Sequence, residues 1–200
     1  MTIFKENSYD IVRLYINQIG IMIFSLFLYS AIAEIQDEAL FGTLRILVSV
    51  LSILFYFVLV YNIVWEIGAK DKIKAESGKY SYNSFKGAIL SAFANVPNFL
   101  LALLSVIFFG CYKLFEAKWM VDTAGVLFAI TKLHGSMFMG LIQGITSSPL
   151  ATDPSAVVTD SLIEAVLFLV LPLVSIAFTQ LAYWLGTKEF RIFGTAKKPE

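Results

Sequence analysis

ILVSVLSILFYFVLVYNIVW, residues 46–65, is a run of twenty residues without one charged side chain. Wound as a helix it measures about 30 Å at ~1.5 Å per residue, one thickness of hydrocarbon in a lipid bilayer. The rest of the chain has the same character. Of its 200 residues 58% are apolar and 15% charged, against about 45–50% and about 25% in soluble domains; the mean hydropathy is +0.77. Three further runs read as spans, residues 11–33, 87–112 and 165–186. Alternating short strands, the mark of a membrane β-barrel, are not seen. The sequence predicts an all-α polytopic membrane bundle, a single integral domain over residues 1–200 of the bacterial inner-membrane type.

The first span is checked for a signal peptide, because Lys5 and Arg13 precede it and Ala31-Ile32-Ala33 has the form of a cleavage site. Glu6 and Asp10 in the leading region, and the apolar runs downstream, favour a retained span.

A fifth apolar segment, residues 121–146, holds Asp122, Lys132 and His134 and is interrupted by TKLHGS at 131–136. Charge placement bears on whether it crosses. Lys70, Lys72, Lys74, Lys79 and Lys86 lie between the second and third spans, and Lys188, Arg191, Lys197 and Lys198 follow the last. Basic residues collect in cytoplasmic loops near span ends. With the loop 66–86 and the tail 187–200 both cytoplasmic, an even number of crossings must separate them. The expectation is four spans in a cell membrane, both termini cytoplasmic, with 121–146 a re-entrant hairpin or a surface helix. Five spans is the rival. SSPLATDPS at 147–155 reads as a loop, and Asp160 and Glu164 suit the start of the last helix, where the dipole favours acids.

The third span carries polar side chains in apolar surroundings. Ser91, Asn95 and Asn98 fall at i, i+4 and i+7, one helical face, beside Pro97. Proline removes a backbone donor and frees the carbonyl of Phe93 four residues earlier. On the second span Arg45, Ser49, Ser52 and Tyr56 make a similar stripe. The two stripes are read as a seam between the second and third spans. Packing is the preferred reading, since such bonds between membrane helices are worth about 0.6–2 kcal/mol; a polar path for a small solute is the other.

Within 121–146, Gly125, Ala129, Lys132, Ser136, Gly140 and Gly144 would share one side of a continuous helix. Gly125, Ala129, Ser136, Gly140 and Gly144 form its small-residue packing face, which lets helices approach closely. The lysines of the 66–86 loop (Lys70, Lys72, Lys74, Lys79 and Lys86), interleaved with Trp65, Tyr80, Tyr82 and Phe85, suit contact with anionic lipid or a protein partner.

Catalytic signatures are lacking. There is no G-x-x-x-x-G-K-[ST], H-E-x-x-H or G-x-S-x-G. Cys111 is the sole cysteine, so neither an internal disulfide nor a multi-cysteine metal site can form, and a net charge of zero gives no field for nucleic acid. No catalytic, cofactor or metal residue is expected. The function expected is that of a non-enzymatic subunit or accessory component of a membrane complex, transport complexes included. Its partners would be the lipid bilayer and a protein partner or a second copy within it. The alternative is a small-solute carrier or channel with its path between the second and third helices.

Overall fold

A computed structural model of the protein describes residues 7–78, 83–146 and 154–192, with the backbone alone for 154–157. Among these residues the chain is helical, with α1 (Ser8–Ile32), α2 (Glu38–Glu76), α3 (Lys86–Ala94), α4 (Val96–Phe115), α5 (Lys118–His134), α6 (Ser136–Thr146) and α7 (Pro154–Thr187). Four of them, α1, α2, α4 and α7, are long and apolar enough to cross a membrane.

Helix α2 has 39 residues, or ~58 Å at 1.5 Å each, far longer than a hydrocarbon layer. It continues through residues 66–76, which the sequence reading assigned to a loop. The correction has a local cause. Lys70 pairs with Glu66 at 2.6 Å and Lys72 with Glu76 at 3.7 Å, both at the i,i+4 spacing that supports an exposed helix. No proline comes before Gly78, whose φ of +72° takes the left-handed conformation that follows helix ends. Lys79, the loop 147–155 up to residue 153, and the tail from residue 193 lie outside the described residues.

Two of the apolar runs are broken. The third ends α3 at Ala94 and restarts as α4 after Asn95, which has φ −91° and ψ 0°. Pro97 then sits in the first turn of α4, where its missing N–H has no intrahelical partner to lose. The segment 121–146 breaks at Gly135 inside TKLHGS, and α5 and α6 meet there at 115°. A Cβ on Gly135 would run into the Phe168 ring, so glycine is needed at the bend. Helix α4 closes on Glu116 in the left-handed region (φ 51°), whose N–H bonds the Tyr112 carbonyl at 2.8 Å. Only Glu116 and Ala117 separate α4 from α5, which makes them a helical hairpin. Phe109 meets Phe128 edge-on at 5.6 Å and Phe108 meets Trp119 at 6.0 Å.

The chain divides into two compact units. The first comprises Met1–Leu14, Phe57–Ala94 and Leu173–Glu200, and the second Tyr15–Tyr56 and Asn95–Pro172. Within the first, α2 and α7 touch closely: a Cβ on Gly186 would strike the Trp65 backbone, and one on Gly68 the Tyr183 carbonyl. Phe57 stacks on Phe178 at 4.3 Å. Within the second, α6 runs against α1 and α2. Ser136 reaches Met22 and Ser25, Gly140 reaches Tyr29 and Ser49, and a Cβ on Gly144 would touch Ile46. Helix α5 runs the other way, with its end at His134 beside Tyr15.

Burial reverses the soluble pattern. On α1 the buried positions Ile11, Leu14, Gln18, Ile21, Ser25 and Tyr29 recur at helical spacing, while Val12, Ile16, Ile23 and Phe27 are exposed. Water-soluble domains keep such polar residues outside.

The bend at Gly135 also divides the expected small-residue face. Gly125 and Ala129 stand exposed on α5, with nothing within 4 Å of a Cβ at Gly125. Gly140 is buried on α6, where a Cβ would collide with the Arg45 carbonyl and the Ser49 hydroxyl. G140A is therefore expected to destabilise by about 1–3 kcal/mol, the usual cost of overpacking, while G125A raises helix propensity without penalty. Thermal unfolding of both variants in detergent checks this; equal melting points would refute the close contact.

Candidate functional site

In the second unit, polar side chains on buried helical faces meet in clusters. Gln18 of α1 occupies the centre of the largest. Its Nε2 donates to the Tyr56 hydroxyl at 3.3 Å and to Asn95 Oδ1 at 3.1 Å. Its Oε1 accepts from Asn98 Nδ2 at 3.2 Å, and Asn98 Nδ2 also reaches Asn95 Oδ1 at 3.1 Å. The break before Pro97 places Asn95 between two helices, at the point where it can face Gln18. Tyr56, Asn95 and Gln18 are buried.

A second cluster forms around the Gly140 amide. Its N–H donates to Tyr29 Oη and Ser49 Oγ, both at 2.8 Å, and those hydroxyls share a bond of 2.6 Å. Smaller pairs join other helices: Ser25 with Ser136 at 2.6 Å, Ser105 with Thr131 at 3.4 Å, and the Tyr15 hydroxyl with His134 Nε2 at 3.2 Å. Lys132 pairs with Glu164 at 2.6 Å, and Glu164 also accepts from Thr146 at 3.0 Å. Glu164 is thus no first-turn acid. Helix α7 starts at Pro154, so Glu164 lies three turns in and is held by a cation from α5.

The first unit contains a different kind of site. Lys86, at the start of α3, pairs with Asp71 of α2 at 2.7 Å, and the side chains are 8% and 5% exposed. The Tyr183 hydroxyl of α7 donates to the same carboxylate oxygen at 3.0 Å. Gln180 holds α3 nearby, accepting from the Ala88 amide at 2.9 Å and donating to the Ser84 carbonyl at 2.7 Å. A Cβ on Gly87 would press on Tyr183 and Thr179, so glycine lets the helix start come this close.

The residues singled out in sequence are therefore distributed over several places. Tyr56, Asn95 and Asn98 come together through Gln18. Ser49 belongs to the Gly140 cluster, where the Arg45 carbonyl accepts from Tyr29 at 3.4 Å. Arg45 extends its guanidinium over Phe41, 5.6 Å from the ring centre. Ser52 is fully buried, and its Oγ has no hydrogen-bond partner among the described residues. Ser91 lies in the first unit and accepts from Thr179 at 3.2 Å. Between it and Asn98 the helix is interrupted at Asn95. Of the lysines, Lys86 is buried and ion-paired, which removes it from any lipid-facing set. Lys70 pairs with Glu66, Lys72 with Glu189 at 3.0 Å, and Lys74 is exposed.

Sequence reading missed Gln18, Tyr29, Asp71 and Tyr183. Gln18, Ser25 and Tyr29 carry a signal, since they fall at i, i+7 and i+11 on the face that also holds Ile11, Leu14 and Ile21. Asp71 carries none, being one charge in a segment of many. Among the described residues no group of three or more His, Cys, Asp or Glu side chains is placed to hold a metal ion.

No protein family, curated protein or solved structure matches the chain.

Removing one partner of a buried ion pair strands the other charge, at about 3–5 kcal/mol, whereas neutralising both is often tolerated. K86M should accordingly unfold far more readily than wild type in detergent, and D71N/K86M should recover most of the loss. A double variant no more stable than K86M would show that the pair is not the coupling unit.

Proposed function

We propose that this chain is a multi-pass membrane protein that works by association, as a non-enzymatic subunit or accessory component of a membrane complex. The observation that carries the reading is the mutual bonding of Gln18, Tyr56, Asn95 and Asn98. The amide donors of Gln18 and Asn98 are spent within the group, as befits glue between helices. Outside that interior the helices present apolar faces, including Val12, Ile16, Phe27, Leu47, Leu54, Leu100 and Leu173. Such faces suit hydrocarbon or the helices of a partner, and polar groups kept inside suit a solvent that cannot hydrogen-bond. A protein whose interior is committed to its own cohesion acts through what it meets at its surface.

The opposed runs of α5 and α6 support a re-entrant reading of residues 118–146. That leaves four crossings, by α1, α2, the third run and α7, with both termini on the cytoplasmic side. A reporter fused after Glu200 is expected to score as cytoplasmic; an external signal would overturn this arrangement.

A second reading has one observation in its favour. Ser52 Oγ and Arg45 Nε are buried without hydrogen-bond partners among the described residues, as donors along a small-solute path could be. N95L/N98L separates the readings. If the carboxamides are glue, the folded yield falls, because Gln18 loses its partners. Normal yield with solute flux abolished in proteoliposomes would favour the carrier. Association has its own check in native mass spectrometry of gently solubilised protein, where a strictly monomeric, partner-free species would count against it.

A further inference from the structure

At the end of the apolar run of α2, the first unit forms a pocket of about 180 Å³ lined by Tyr61, Asn62, Trp65, Glu66 and Arg191. At ~30 Å³ per water it has room for roughly six water-sized groups, enough for a phosphate and its first ester carbons. The Arg191 guanidinium lies over the Trp65 ring, 4.1 Å from its centre. This position is built by the residues on either side. Trp65 Nε1 donates to the Phe190 carbonyl at 2.8 Å, and the Ile192 amide donates to the buried Tyr61 hydroxyl at 2.8 Å. Both neighbours of Arg191 are thereby pinned to α2, which fixes its main chain beside Trp65.

Charge decides what the pocket would take. Glu66 is its one carboxylate, and both oxygens are occupied: Oε1 by Lys70 at 2.6 Å and Oε2 by Arg13 at 3.8 Å. Arg191 has no carboxylate partner among the described residues. Two cations thus neutralise the one acid, and Arg191 adds a third positive charge to the lining, beside the exposed carboxamide of Asn62. Guanidinium matches phosphate oxygens with two parallel bonds, and tryptophan at the end of an apolar run marks headgroup depth. We propose that the Trp65–Arg191 pocket binds the phosphate of a phospholipid headgroup, with Arg191 as the ligating cation and the ring of Trp65 as its platform. The net positive surroundings favour an anionic lipid. This goes beyond the lysine set read from the sequence, and it rests on the membrane reading above.

The test uses the full chain in detergent, with phosphatidylglycerol as the probe and lipid retention read by native mass spectrometry. Wild type should hold a lipid that R191A binds about tenfold more weakly, in line with the loss of a charge-assisted hydrogen bond. R191K should fall between them, because it keeps the charge and loses the planar fork. Melting temperatures should be unchanged, since residues 190 and 192 are fastened through their main chains. Displacement of the lipid by millimolar inorganic phosphate would show that phosphate is recognised whatever its source, and resistance would show that the acyl chains take part; both agree with the proposal. Equal retention by wild type and R191A overturns it, and so does equal retention of diacylglycerol, which has the tails and no phosphate. Carbonate washing of membranes addresses the underlying reading separately. A chain released by the wash refutes both ideas, whereas one that stays embedded but ignores Arg191 refutes only the pocket.

Discussion

The carboxamide of Gln18 keys the second unit together. It reaches Tyr56 of α2, Asn95 at the α3–α4 break and Asn98 of α4, so one side chain of α1 reads the position of three other places in the chain. Each such bond contributes only about 0.6–2 kcal/mol among membrane helices. An amide left unbonded in an apolar interior costs several kcal/mol. The asymmetry makes the cluster a constraint on register more than a source of stability. Sliding α2 by one residue would carry Tyr56 away from Gln18 and put Phe55 or Phe57, a ring without a hydroxyl, in its place. The Gly140 cluster acts in the same way at a second point, because Tyr29 and Ser49 can both reach that amide only where no Cβ intervenes.

The first unit solves the same problem with charge and close approach. Gly68, Gly87 and Gly186 bring backbones together where a methyl group would collide. Close backbones leave little room for water, and the Asp71–Lys86 pair is accordingly buried. A buried pair of this kind is weak evidence for stability, since desolvation offsets much of the attraction. What it supplies is a penalty for mispairing: α3 cannot dock elsewhere without stranding Lys86. The Tyr183 hydroxyl adds α7 to the arrangement, so one carboxylate ties three helices.

How much of this could be read in the chain differs by feature. Helix class and the four long apolar helices follow from uncharged runs such as residues 46–65, because hydrophobic length is a local property. The break at Gly135 was legible in TKLHGS, where polar residues and a glycine interrupt an apolar run. The break at Asn95 was legible only in part. Pro97 marked it, but proline is compatible with a kink in a continuous helix as well as with a new helix start, and the choice depends on what Asn95 can bond. The extent of α2 was misjudged because charges were read as a loop, although the i,i+4 pairs Glu66–Lys70 and Lys72–Glu76 spell a helix. Lys86 was assigned to the lipid-facing set for a related reason. Its burial is decided by Asp71, fifteen positions away and indistinguishable in composition from its exposed neighbours.

Glue and path make opposite demands on the same residues. A path needs polar groups whose bonding capacity is open to a passing solute, so each must be weakly held or unheld. In the Gln18 cluster the donors of Gln18 and Asn98 are taken by acceptors within the cluster, and opening a route there would mean breaking several bonds together. The Gly140 cluster is tighter still, since its acceptors are fixed by a main-chain amide that cannot rotate away. Among the described residues Ser52 Oγ, Arg45 Nε and Asn98 Oδ1 are buried without a hydrogen-bond partner, against the many bonds that the two clusters make. Bond saturation therefore weighs toward cohesion, and what the protein does is better sought at the surface that this cohesion holds in shape.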